Sequence, residues 1–394
     1  MALCNPDYRS AARQLALASV LIAGVLPALG QLHKPLVEAH VLVQPSVVKG
    51  SDNSDHVAYE LYITNEAKNG PLRLTNLQVF GTGTSVPVAS YDGKQLCALA
   101  SVNCGQGADA VTLPENVRTV LFLWLTFPEG VATVAGVTHS ISLENADGRQ
   151  DTVRGADVAF SPQPAIVIGP PFREGHYWLV TEGPGNSHSH HWRSLQNPSG
   201  DVTIAQRFAV DFVGLDSAGH ALPVAPDSPR ALMNPEWFGY NADVLAVADG
   251  IVRDARDGQP DGKPFANRPE PTDVSARGLY GNFVILEIAS GIFVHYAHLR
   301  PGSIRVQPGQ HVHRGDPIGN LGDSGNSAVP HLHFHISNKA VFEGSEGLPF
   351  RFDNFTLEGH AGEATVLSPS SAWNAHAVKI KQAMPLDSDV IAFP

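Results

Sequence analysis

Positive charge is scarce in this sequence. Lys and Arg number 26 against 38 Asp and Glu, the formal net charge is -12 at pH 7, and no stretch gathers the basic residues into a stripe. Binding of nucleic acid by phosphate neutralisation needs such a stripe and is excluded, so an uncharged or mixed-charge substrate fits better. Long apolar runs are also missing. The run from Leu15 to Leu26 falls short of the roughly 20 residues that cross a bilayer. Cysteine is limited to Cys4, Cys97 and Cys104, and none closely follows the apolar run, so a bacterial lipid-anchor signal is not supported.

What is there reads first as an export signal. Arg9 and Arg13 precede the apolar run, and Ala28-Leu29-Gly30 supplies small residues around a cleavage point, which predicts a signal peptide over 1–30. Its removal takes Cys4 away and leaves Cys97 and Cys104 to close a small loop by a disulfide. The expectation is an exported protein, periplasmic or extracellular, with no stable membrane insertion once the signal is gone.

The length of 394 residues suggests two or three domains. Over 31–161 the pattern is all strand. Val57, Tyr59, Leu61 and Ile63 alternate with Ala58, Glu60, Tyr62 and Thr64, as a half-buried strand does, and Val120 to Leu125 is a continuous apolar run suited to burial on both faces. Strands at this spacing predict an N-terminal β-sandwich. Pro162, Pro164, Pro170 and Pro171 mark a boundary. A second domain is predicted over 162–361, followed by a C-terminal tail over 362–394.

The chemistry gathers in that second domain. His331-Leu332-His333-Phe334-His335 alternates imidazole with apolar side chains, and on a strand this puts three imidazoles on one face and Leu332 and Phe334 in the core. Neutral imidazole is the commonest protein ligand for zinc. Upstream, Asn186-Ser187-His188-Ser189-His190-His191 and the strand Val202 to Phe212 flank the turn Asn197 to Gly200. A hairpin about Pro198 and Ser199 sets Arg207 opposite His190 or His191 and brings an imidazole beside Asp211. His298 ends the strand Ile292 to His298. Catalytic zinc keeps three protein ligands and an open position. Asp211, His333 and one upstream histidine are candidates for the ligands, leaving His331 and His298 for proton transfer and the oxyanion. Two long polar loops, Leu215 to Tyr240 and Asp254 to Gly278, are candidate groove walls, the first through Trp237-Phe238-Gly239-Tyr240.

Ala246-Val247-Ala248-Asp249-Gly250, Tyr280-Gly281-Asn282, Tyr296-Ala297-His298-Leu299, the glycine-spaced Val306 to Gly325 and Pro330-His331-Leu332-His333-Phe334 occur in that order. Together they resemble the lysostaphin and LytM type of zinc metallopeptidase over roughly 165–360. The resemblance implies an all-β chain whose sandwich is followed by a duplicated-hybrid-motif, barrel-like peptidase domain. It implies Zn2+ as cofactor and endopeptidase action on the peptide stems or cross-bridges of peptidoglycan. Carried over by motif, Asp211 and His333 are expected as zinc ligands and His298 and His331 as the catalytic histidines.

One departure stands out, because the family has histidine four residues before the ligand aspartate and this chain has Arg207 there. The hairpin restores the missing ligand through His191, with His190 as the alternative. Otherwise the domain is a degenerate one that binds peptidoglycan or regulates another wall hydrolase. Arg207 itself is expected to pair Asp211 or Glu287. His335 is expected to hydrogen-bond behind the ligands, His295 to face away from the metal by its parity with His298, His188 to lie in a loop, and His311 and His313 to be solvated.

Overall fold

The computed structural model describes residues 37–66, 68, 70–198, 200–266, 276–368 and 375–394. The segment expected as a signal peptide lies outside the described residues. The chain is nearly all β, as expected.

Two antiparallel sheets occupy the N-terminal part. Asp55–Asn65 pairs along its length with Arg118–Phe127 and is bordered by Val37–His40 and Val47–Lys49. In the other sheet Leu72–Gly81 pairs with Pro87–Asp92, Val111–Leu113 and Gly136–Glu144, and the last pairs with Gln150–Ala159. Val57, Tyr59, Leu61 and Ile63 of one sheet and Leu72, Leu74, Leu77 and Val79 of the other share one buried cluster, so the two sheets pack face to face.

The strand Asp55–Asn65 is not half-buried, however. Ala58, Glu60 and Tyr62, on the face expected to be solvated, are buried as well. Ala58 and Tyr62 belong with Val120 and Phe122 to a cluster that also holds Trp192, Ile204 and Phe208, so this face packs on the second part of the chain. The same packing buries Val120 to Leu123 and Leu125, with Trp124 half-buried. A helix, Gly93–Leu99, interrupts the expected run of strands. Asp92 caps it and Gln95 closes a reciprocal capping box, while Leu96 turns inward. Cys97 and Cys104 are joined by a disulfide.

The second part is built on an 11-stranded sheet. At its centre Tyr177–Thr181, Val210–Leu215, Leu332–Ser337, Ile292–Leu299 and Asn282–Ala289 lie side by side and antiparallel. Phe350–His360 is an interior strand, because it pairs with Ile166–Ile168, Ala375–Ala383 and Asp389–Ala392. The segment read as a tail therefore supplies two strands of this sheet, and Asp389–Ala392 also borders Tyr177–Thr181. Asp243–Leu245 pairs with Pro317–Asn320 in a separate small sheet, and Gly250–Arg256 joins the large one.

Candidate active site

Four central strands frame the site. Their register sets Thr181, Asp211, His333 and Ala297 in one row across the sheet. Period two does what the sequence predicts on Leu332–Ser337, where Leu332, Phe334 and Ile336 enter the core while His333 and His335 share the other face.

Asp211 is the centre of the arrangement. His333 Nδ1 lies 2.9 Å from its Oδ1, His191 Nε2 lies 3.5 Å from the same oxygen, and His331 Nε2 lies 3.4 Å from Oδ2. Burial alone would raise the Asp211 pKa, but charge on His331 and His191 and the hydrogen bonds from His331 and His333 hold it well below the usual carboxylate range. His331 is the converse case: burial lowers its pKa, the Asp211 carboxylate outweighs that, and the net shift is upward. Burial holds His191 down at about 3 and His298 well below its ordinary value.

Ring orientation follows a common device. His191 Nδ1 lies 3.0 Å from Glu182 O, His298 Nδ1 lies 2.8 Å from Ser324 O, and His331 Nδ1 lies 2.8 Å from Val329 O. In the neutral ring, an Nδ1–H that donates to a carbonyl leaves Nε2 with its lone pair free, which fixes the useful tautomer of all three rings. His333 is turned the other way. Its Nε2 meets His335 Nδ1 at 2.9 Å and Gln206 Nε2 at 3.1 Å, leaving Nδ1 towards Asp211.

His191 reaches Asp211 by a route other than the expected hairpin. Residues 186–195 form turns, and the isolated bridge Gln196↔Thr203 is the pairing between the two arms. Glu182 adopts φ 52, a left-handed conformation, and its carbonyl takes both Ser189 Oγ at 2.6 Å and the His191 ring. His190 is exposed, and its Nδ1 pairs with the Glu182 carboxylate at 3.1 Å. His188 lies in this loop, as expected. Among the described residues His190, His191 and Asp211 bring one donor atom each within 4.8 Å of one another. His333 is buried against Asp211, with its ring centre 4.6 Å from that of His191, whereas His190 is exposed and paired with Glu182.

Arg207 stays out of the site and pairs with neither residue expected for it. Its guanidinium is buried between the carboxylates of Glu60 and Glu346, and Glu287 pairs instead with Arg253. Gln206, next to it, is the residue that turns towards His333. In the sequence a lone glutamine carries no metal or catalytic signal, so nothing there marks Gln206.

His298 departs from strand parity. Across the strand pair Ala297 stands opposite His333 and His295 opposite His335, so His298 would face the other side. A left-handed φ of 62 swings it back, and its ring centre lies 4.7 Å from that of His331. The turn that receives it is made by Gly281, at φ 67, which packs directly on the Ser324 and Gly325 backbone where a Cβ would collide. His295, expected to face away, instead stacks on His335 at 4.3 Å on the same face as His333. His335 lies behind His333 as expected, and Tyr280 Oη reaches its Nε2 at 3.3 Å. His311 and His313 are exposed.

A cavity of about 580 Å³ opens over these residues. Trp237 and Phe265, one from each long loop, stand 5.4 Å apart in its wall. Tyr240 is not in that wall, and its Oη donates to Asp261. The C-terminal segment adds Glu363, Val366 and Leu367 to the lining, a contribution the sequence did not announce.

Residues 238–343 match the family model described as Peptidase family M23, which bears out the resemblance over a stretch holding His298, His331 and His333. Among solved structures the chain is similar to the catalytic domain of the antimicrobial peptidase lysostaphin from Staphylococcus simulans, at 20% identity over 43% of this chain and 82% of that one, with a TM-score of 0.21. It is also similar to a catalytic-domain mutant of the prophage-encoded M23 protein EnpA from Enterococcus faecalis, at 15% identity over 46% and 93%, TM-score 0.26. A zinc containing peptidase from Vibrio cholerae is similar at 16% identity over 78% and 86%, TM-score 0.24.

Proposed function

We propose that this chain is an exported zinc metalloendopeptidase that hydrolyses peptide bonds in the stems or cross-bridges of peptidoglycan. The observation that carries the reading is the convergence of His191 Nε2, His331 Nε2 and His333 Nδ1 on the Asp211 carboxylate in the floor of the cavity. His191, Asp211 and His333 would hold the metal, with His190 as the alternative ligand. A bound zinc ion supplies a lowered water pKa and polarises the substrate carbonyl.

The chain's own residues account for the proton. His298 and His331 each have Nδ1 committed to a carbonyl and present Nε2 to the site. Either ring can accept a proton as water adds to the scissile carbonyl carbon and, once protonated, can donate to the carbonyl oxygen or to the departing amine. Trp237 and Phe265 supply an apolar wall against which a peptide backbone can lie. The Cys97 to Cys104 disulfide supports an oxidising compartment. No helix among the described residues is long and apolar enough to cross a membrane.

Arg207 in place of histidine points to a degenerate domain, but its side chain is engaged with Glu60 and Glu346 rather than with Asp211. Digestion of purified peptidoglycan with and without a chelator, with product masses read out, tests the proposal. New peptide termini that vanish with the chelator are expected. Binding to peptidoglycan with no cleavage product in either arm would favour the degenerate domain.

A further inference from the structure

Glu60 lies on Asp55–Asn65 in the N-terminal sheet, is 2% exposed, and faces the second part of the chain rather than the sandwich interior. Its Oε1 accepts a hydrogen bond from Trp192 Nε1 at 2.5 Å and another from Arg207 Nη1. Trp192 follows His191 in the chain, and Arg207 follows Gln206, whose amide lies against His333. One buried carboxylate therefore holds the immediate neighbours of two side chains that meet at the site.

The loop around His191 has no strand of its own to position it. Hydrogen bonds from Ser189 Oγ and the His191 ring to Glu182 orient the imidazole within the loop. The loop as a body is held from the N-terminal side: the Trp192 ring packs edge-on to Phe122 and Trp124, and Arg193 donates to Ala98 O at 2.9 Å and Ala100 O at 3.1 Å. A metal ligand on a loop is useful only when its support fixes it to about 0.5 Å.

We propose that Glu60 is a positioning residue for the metal centre, holding His191 through Trp192 and the Gln206–Arg207 corner through Arg207, so that the N-terminal sandwich is an integral support of the metal site and not a detachable module. The inference rests on the reading of His191 and Asp211 as metal ligands.

Zinc titration of the full chain against a chromophoric competitor, with the visible spectrum of the cobalt-substituted protein as second readout, tests it. Trp192→Phe leaves Glu60 paired with Arg207 and keeps an aromatic ring against Phe122 and Trp124, but removes the indole N–H together with the five-membered part of the ring. Glu60→Gln keeps the shape and weakens the hold on Arg207. Both should raise the zinc Kd, by at most the roughly 10- to 100-fold that loss of a direct outer-shell partner of a metal ligand costs because Glu60 acts one residue further out, and should change the cobalt bands while far-UV circular dichroism stays that of the parent. Ile141→Val, in the sandwich core away from Glu60, should lower stability and leave the zinc Kd alone, which separates positioning from general weakening. If Glu60→Gln fails to fold, Trp192→Phe decides. Parental Kd and cobalt spectrum in Trp192→Phe, with zinc lost in Asp211→Ala, overturns the support by Glu60 and leaves the metal site standing. A parent chain that binds no zinc overturns both.

Discussion

His191 Nε2 stands 3.5 Å from Asp211 Oδ1 although no strand register connects the two residues. Asp211 is delivered by the sheet; His191 is delivered by a loop folded back on the Glu182 carbonyl. The neighbouring His190 is exposed and paired with the Glu182 side chain. His191→Ala is therefore expected to lose bound zinc, and His190→Ala to retain close to one zinc per chain. Metal analysis after dialysis distinguishes them. Loss of zinc from His190→Ala together with retention in His191→Ala would reverse the assignment.

His298 and His331 hold their Nδ1 atoms to Ser324 O and Val329 O and are assigned to proton transfer rather than to metal binding. Replacing either with Ala should leave the zinc content intact and lower turnover by about 10² to 10⁴, as removal of general acid-base or oxyanion-stabilising groups does. Steady-state cleavage rates measured beside metal content check this. A variant that loses metal along with activity would mark that residue as a ligand.

The parts of the site that follow from local period were legible in the sequence. Leu332 and Phe334 bury and His333 and His335 share a face because a strand alternates whatever it is paired with. His298 was legible only as a residue type near the end of a strand, since its direction depends on a positive φ that no alternation rule carries. The short helix Gly93–Leu99 did announce itself, through Asp92 and Gln95 at capping-box spacing, but the surrounding strand pattern hid it. Glu60 was not legible at all. Alternation puts it on the face expected to be solvated, and its burial depends on Trp192 and Arg207, more than a hundred residues further along.

Stability should fall as the pH is lowered, in part through His139. Its ring is fully buried, with Nε2 2.9 Å from Tyr59 Oη and Nδ1 3.1 Å from Ala156 O. Burial holds its pKa down at about 4. Because the unfolded chain binds the proton more readily, this neutral histidine contributes full stability above about pH 6.5, and the contribution is lost as pH falls through about 4, where it amounts to about 3 kcal/mol. His139→Gln should shallow the dependence of unfolding free energy on pH by up to about 1.4 kcal/mol per pH unit between those limits. Denaturant unfolding of the metal-free protein across that range is the measurement. An unchanged slope would mean that His139 is protonated in the folded state.

Arg207→His puts histidine where the resemblance expects a ligand, yet it should not improve the site. The Arg207 side chain runs away from Asp211 to a buried position between Glu60 and Glu346, while Gln206 is the residue that turns towards His333. An imidazole is too short to bridge both carboxylates, so one of them would be left buried without its cation. Breaking a buried ion pair in this way typically costs about 3–5 kcal/mol. The variant should therefore unfold at markedly lower denaturant and bind zinc no more tightly than the parent, because the corner that carries residue 207 is directed at the N-terminal sheet. Tighter zinc binding at parental stability would show that position 207 is able to enter the site, and that His191 is then not needed to replace it.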